Sequence, residues 1–226
     1  MKNTPFIAVT SQPVPYHADT TAIFNTLCQQ NSNSLLLDSA EIGSKNSLQS
    51  LILINAAVKI TCLGNQVTFR ALNANGKQVL KEIHPVLSQL GTVSAVNFDN
   101  EFSVQFALLD NQLDEDSKLQ AATIFDGLRV ISNHYQHSST PVFLGGLFAY
   151  DLVANFIPMQ GVELKDDGIH CPDYSFYLAE NLITIDHQSQ QATLKSFCFS
   201  QEEQVEVAKT ALSIAQKLKN IDGVLS

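Results

Sequence analysis

The sequence is poor in positive charge. Its 226 residues hold 13 Lys+Arg against 22 Asp+Glu, a formal net charge of −9. Nucleic-acid partners are held through their phosphates, which calls for a basic excess or stripe. The few, scattered basic residues speak against DNA or RNA, and the same balance speaks against an anionic membrane surface. Long apolar runs are missing as well. The longest, Leu51 to Val58, contains Asn55 and falls far short of the ~20 residues of a membrane span. The N-terminus has one Lys and a short apolar patch broken by Ser11, Pro5, Pro13 and Pro15, so no secretory segment is expected. Cysteine is sparse. Cys28, Cys62, Cys171 and Cys198 lie far apart without a CxxC, unlike a disulfide scaffold or a close-paired zinc site. Free thiols in a reducing cytoplasm are the expectation.

Motifs of common chemistry are also missing. There is no GxGxxG and no GxxxxGK[ST] for a phosphate, no HExxH for a metal and no GxSxG nucleophile elbow. His134 and His137 are three apart but lack a Cys or Glu to complete a metal set, so a solvated helix end is expected. His170-Cys171 is a pair of chain neighbours, whereas a base and its nucleophile normally come from distant segments. Asp114-Glu115-Asp116 reads as a helix start, Asp166-Asp167 as a solvated loop, and Gly145-Gly146 as a place of close backbone approach.

What is present is a core. An apolar fraction of 45% with only 15% charged residues is the opposite of a disordered composition, and the length suits one large domain or two small ones. Prolines make residues 1–16 an irregular arm, leaving 17–226 as the folded unit. A helix capped by Asp19 or Thr20 runs to about Gln29, and Leu35-Leu36-Leu37 form a strand ending at Asp38. Leu51 to Leu63, the Gly64-Asn65 turn and Val67 to Ala71 form a hairpin closed by Asn73-Ala74-Asn75-Gly76. A helix over Lys77 to Leu90 is interrupted by Pro85, and Phe102 to Leu108 is a strand. The clearest helical periodicity runs from Asp114 to His134. A short helix at Asp151 to Phe156 and a loop from Pro158 to Pro172 follow. Tyr174 to Ile185 and Ala192 to Phe199 are antiparallel strands. Ser200 caps a last helix with Glu203 completing a capping box, and its apolar stripe is Val205, Ala208, Leu212, Ala215 and Leu218. Strand pairs joined by short turns predict an α+β fold, mainly antiparallel sheet with flanking helices.

One segment differs from an ordinary turn. In Leu36-Leu37-Asp38-Ser39-Ala40-Glu41-Ile42-Gly43-Ser44-Lys45 a strand end leads to a carboxylate, hydroxyls and an amine within a few residues. A carboxylate pairs with an ammonium, and hydroxyls or exposed N–H groups meet a carboxylate. This set suits a zwitterionic amino acid, although the same residue types also dominate plain turns.

The stretch from Leu35 to Leu51 resembles the tryptophan-binding segment of anthranilate synthase component I, the large, chorismate-using subunit. The similarity continues through Leu53 to Leu72, Leu113 to Asp116 and Phe125-Asp126-Gly127-Leu128-Arg129. Phe143 to Val153 looks like the family's GG-aromatic-YD stretch, and Cys171 to Glu180 with Ile185-Asp186-His187 is similar to its PD…F…DH stretch.

The resemblance implies an N-terminal regulatory α+β domain whose C-terminal chorismate-binding domain is absent from this chain. The full-length family converts chorismate and ammonia to anthranilate and pyruvate with Mg²⁺, and a glutamine amidotransferase, component II, supplies the ammonia. L-tryptophan inhibits allosterically. The expected feedback residues are Ser39, the adjoining Asp38 (where relatives carry Glu), Ala40 and Lys45, with Arg129 matched to a position whose alteration weakens inhibition. A further lysine of the family is replaced by Gln49. No catalytic residue or metal ligand is expected here, so the chain alone should be an inactive, cytoplasmic piece that binds tryptophan weakly or not at all. The alternatives are the corresponding part of aminodeoxychorismate synthase component I and a stand-alone amino-acid-binding module.

Overall fold

A computed structural model describes residues 5–29, 31–38, 48–97, 99–107, 116, 121–136, 138, 140–155 and 171–221. In chain order the strands are β1 (Ala8–Val14), β2 (Leu35–Asp38), β3 (Gln49–Leu63), β4 (Gln66–Ala71), β5 (Thr92–Asn97), β6 (Glu101–Gln105), β7 (Leu144–Phe148), β8 (Tyr174–Asp186) and β9 (Gln191–Cys198). The helices are α1 (Thr20–Cys28), α2 (Ala74–Leu87), α3 (Asp126–His134) and α4 (Gln204–Lys219), with a 3-10 turn at Tyr150–Asn155. Every strand pairing is antiparallel, in the order β1-β9-β8-β3-β4-β6-β5, with β2 also on β3 and β7 also on β8. The architecture is α+β, as the sequence predicts.

The long β3–β8 ladder organises the sheet. Leu53 faces Leu182 and Val58 faces Leu178, so β3 advances five residues while β8 advances four. One extra residue in a strand reverses which face each later side chain takes. Ile52 and Ile54 therefore enter one core, with Ile23 of α1 and Ala211, Ile214 and Leu218 of α4. Val58, Ile60 and Cys62 enter the other, with Val79, Leu80 and Ile83 of α2 and Val130 and Ile131 of α3. Beyond the bulge β3 exchanges its neighbour β2 for β4.

Several sequence expectations are corrected. Residues 8–14 of the expected arm are a strand on β9, and Pro13 is tolerated because β1 lies at the sheet edge. Asn73 to Gly76 open α2 instead of closing a hairpin, because the Asn73 Oδ1 accepts the Gly76 N–H at 2.9 Å as an N-cap. Pro85 is accommodated inside α2 near its end. Strand β5 escaped the sequence reading. Of the expected 114–134 helix, Asp116 and Asp126–His134 are helical among the described residues but 121–125 are not; there the Asp126 carboxylate takes the Thr123 N–H at 2.6 Å and fixes a turn. The capping box at the last helix is absent. Ser200 Oγ accepts the Glu202 N–H at 3.3 Å and the helix starts at Gln204. Its buried stripe is Val207, Ala211, Ile214 and Leu218, while Val205 and Leu212 are exposed. Cys28, Cys62 and Cys198 are buried free thiols and Cys171 is exposed. Among the described residues no helix is long and apolar enough to cross a membrane.

Candidate ligand-binding site

Asp38 ends β2 directly opposite Ser50 of β3. Cross-strand partners share a face, so the two side chains meet. The Ser50 hydroxyl donates to Asp38 Oδ1 in a short hydrogen bond, and the Thr20 hydroxyl at the start of α1 approaches Oδ2 at 3.4 Å. Ser50 is completely buried and Thr20 nearly so, whereas Asp38 remains exposed. The carboxylate is thus anchored from inside the fold while keeping access to solvent.

The anchoring continues through His187. Its Nε2 lies 2.8 Å from Ser50 Oγ, and its Nδ1 lies 3.1 Å from the Tyr16 hydroxyl. The Tyr16 ring meets the imidazole edge-on, with centroids 5.8 Å apart. The His187 backbone N–H donates to Leu48 O at 2.9 Å, fastening the end of β8 to the start of β3. The adjoining turn is fixed by Asp186, whose Oδ1 accepts the backbone N–H groups of Gln188 and Ser189. Those bonds hold the Asp186 carboxyl below the usual range. Asp38 therefore sits where β2, β3 and β8 all end, at one mouth of the sheet.

Of the residues singled out in the sequence, Asp38 occupies this mouth. Ser39, Ala40 and Lys45 lie outside the described residues. Arg129 is not joined to Asp38 by any described bond. It is exposed on α3 and pairs with Asp126 at 3.3 Å. Sequence reasoning missed Thr20, Ser50, His187 and Tyr16 as partners of Asp38. Two signals were available: a serine immediately before the apolar run of β3, and the Asp186-His187 pair that stops β8.

A second polar cluster proves structural. The His134 Nε2 lies 2.9 Å from Glu82 Oε2, which also accepts the Tyr135 hydroxyl at 2.9 Å. His134 is therefore part of the α2–α3 contact, correcting the solvated helix end expected from the sequence, and His137 lies outside the described residues. A third cluster centres on buried Glu180, whose Oε2 accepts the side-chain amides of Asn73 and Asn75, each at 2.8 Å. Asn75 also donates to Phe197 O at 3.0 Å and accepts the Phe199 N–H at 2.6 Å. Burial pushes the Glu180 carboxyl up, the Asn75 and Asn73 amides draw it partly back, and Glu203 adds to the rise. Among the described residues no three His, Cys, Asp or Glu side chains lie together as a metal site would need.

No protein-family profile matches the chain. Individual curated proteins do. The chain is 85% identical over 221 residues to the Haemophilus influenzae anthranilate synthase component 1, covering 98% of this chain and 43% of that protein. The Vibrio cholerae anthranilate synthase component 1 is 44% identical over 202 residues, 88% of this chain and 38% of its own length. The Escherichia coli anthranilate synthase component 1 is 36% identical over 199 residues, 87% of this chain and 37% of its own length. The chain thus spans less than half the length of these relatives.

Proposed function

The chain belongs to the anthranilate synthase component 1 family, and on that premise we propose that it is the regulatory part of a chorismate-using enzyme of tryptophan biosynthesis. The full-length protein converts chorismate and ammonia to anthranilate and pyruvate, a carbon–oxygen lyase reaction. A component II amidotransferase delivers the ammonia from glutamine. The part of the relatives' length that this chain does not cover carries the chemistry, so the chain alone is inactive. The described residues offer no ligand cluster for the Mg²⁺ that the resemblance implies for the full-length reaction. The setting is the cytoplasm.

The regulatory site is the mouth at Asp38, and one observation carries this reading. An exposed carboxylate is held in place by the Ser50 and Thr20 hydroxyls. A fixed carboxylate is matched to the ammonium of an amino acid, because its geometry is set before the ligand arrives. Ser39, Ala40 and Lys45 follow it in the chain and supply a hydroxyl, a backbone N–H and an ammonium for the ligand carboxylate. Arg129 contributes from α3 to the inhibited arrangement. Tryptophan inhibits by binding one arrangement of the regulatory and catalytic parts more tightly than the other, since only differential affinity shifts a population.

The test is Ser39→Phe in the full-length protein. Tryptophan inhibition of anthranilate formation should be lost while uninhibited turnover stays within about twofold of wild type. Unchanged inhibition would sink the assignment.

A further inference from the structure

With a neutral His187 imidazole, the bonds around Ser50 admit one order of protons in which Ser50 serves Asp38. An ionised carboxylate only accepts, and a serine hydroxyl has a single proton to give. Ser50 Oγ lies between Asp38 Oδ1 and His187 Nε2. With its proton on Asp38, Ser50 has only lone pairs for His187, so Nε2 must carry a hydrogen and donate it. A neutral imidazole then has its lone pair on Nδ1. That atom faces the Tyr16 hydroxyl at 3.1 Å, which can donate. The chain therefore runs Tyr16 to His187 to Ser50 to Asp38, every donor aimed toward the carboxylate. The opposite tautomer would draw the Ser50 proton to His187 and turn a lone pair on Asp38.

Two links of this chain are fixed independently. The His187 backbone is tied to Leu48. Next to Tyr16, buried His17 sets its Nε2 3.0 Å from Leu218 O at the end of α4.

We propose that His187 is a positioning residue for Asp38: as the Nε2–H tautomer it commits the only proton of Ser50 to the Asp38 carboxylate, which then receives the ammonium of the bound amino acid. The ligand in this statement rests on the tryptophan reading above, whereas the proton order does not.

The first measurement is the imidazole nitrogen spectrum of the chain labelled with ¹⁵N-histidine, at neutral pH and without ligand. Nε2 of His187 should give a protonated signal and Nδ1 an unprotonated one. Tyr16→Phe should mix the two tautomers. A protonated Nδ1 with bare Nε2 in the wild type would overturn the proposal. The second measurement is the affinity of the full-length protein for L-tryptophan. His187→Gln places an amide N–H near the position of Nε2–H and should stay within about twofold, while His187→Leu and Ser50→Ala should each lose roughly tenfold, the worth of one hydrogen bond to a charged group. Equal losses for Gln and Leu, or none for either, would overturn the positioning role. If the wild type binds no tryptophan, the ligand reading fails alone, and the tautomer still upholds or overturns the part played by His187.

Discussion

Gly76 faces Ala57 so closely that a β-carbon on the glycine would lie 1.9 Å from the Ala57 carbonyl oxygen. No side chain fits there, so the first turn of α2 rests backbone to backbone on β3. The contact falls in the bulged part of β3, where Leu72 N–H also donates to Ala57 O at 2.9 Å. The neighbouring Asn73 caps the same turn and holds Glu180. One tight approach thus fixes helix, bulge and buried carboxylate together.

Gly76→Ala should destabilise the protein by about 3 kcal/mol or more, the upper range of overpacking. In an unconstrained helix interior the same change would stabilise by about 1 kcal/mol. The urea midpoint of the variant decides the sign.

Glu180 should make stability fall with rising pH. Its folded carboxyl lies above the ordinary value of 4.5, chiefly through burial. The native state then holds the proton more tightly than the unfolded chain. Stability is greatest below that value and is lost as pH rises through the folded one. Glu180→Gln keeps an acceptor for Asn73 and Asn75 and cannot ionise, so it should remove this slope. Urea midpoints between pH 4 and pH 7 test it, and an unchanged slope would refute the assignment.

Glu82 should act in the opposite direction. Burial would raise its carboxyl, but the bonds from His134, Gln78 and Tyr135, with the His134 charge, hold it below 4.5. Its contribution is present above the unfolded value and is lost as pH falls through the folded one. Glu82→Gln should flatten the acid limb of the stability profile. Tyr135→Phe should cost about 1 kcal/mol, the usual net worth of a hydrogen bond.

The two apolar stripes of α4 should differ sharply. Ile214→Ala should cost ~2–4 kcal/mol, because Ile214 is 5% exposed in the core beneath α1. Leu212→Ala should stay within about 0.5 kcal/mol, because Leu212 is 58% exposed. Thermal or chemical unfolding of the pair tests the register of the helix.

Local order was legible where neighbours in the chain determine it. Asp19 caps α1 by accepting the Ala22 N–H at 2.9 Å, and Gly64 takes the positive φ of 59° that the β3–β4 turn requires. The β8–β9 pairing followed from two apolar runs and a polar turn. Strand β1 was hidden by Pro13 within it and Pro15 just after it, because edge position is a property of the sheet and not of the segment. The stripe of α4 was misjudged because two apolar lines wind around it and only docking selects one. At the candidate site, Asp38 was visible as a carboxylate at a strand end, but its partners were not.

By itself the sequence determined the α+β class, most strands, the start of α1, and the carboxylate at the end of β2, since each depends on residues a few positions apart. Only the tertiary structure decided what holds that carboxylate. Ser50 and His187 are 137 residues apart in the chain and meet because β3 and β8 pair over nearly their full length. The extra residue in β3 sends Ile52 and Ile60 to different cores although their sequence parity is the same. A hydrogen-bond chain across a sheet depends on register, and register is settled when the strands pair.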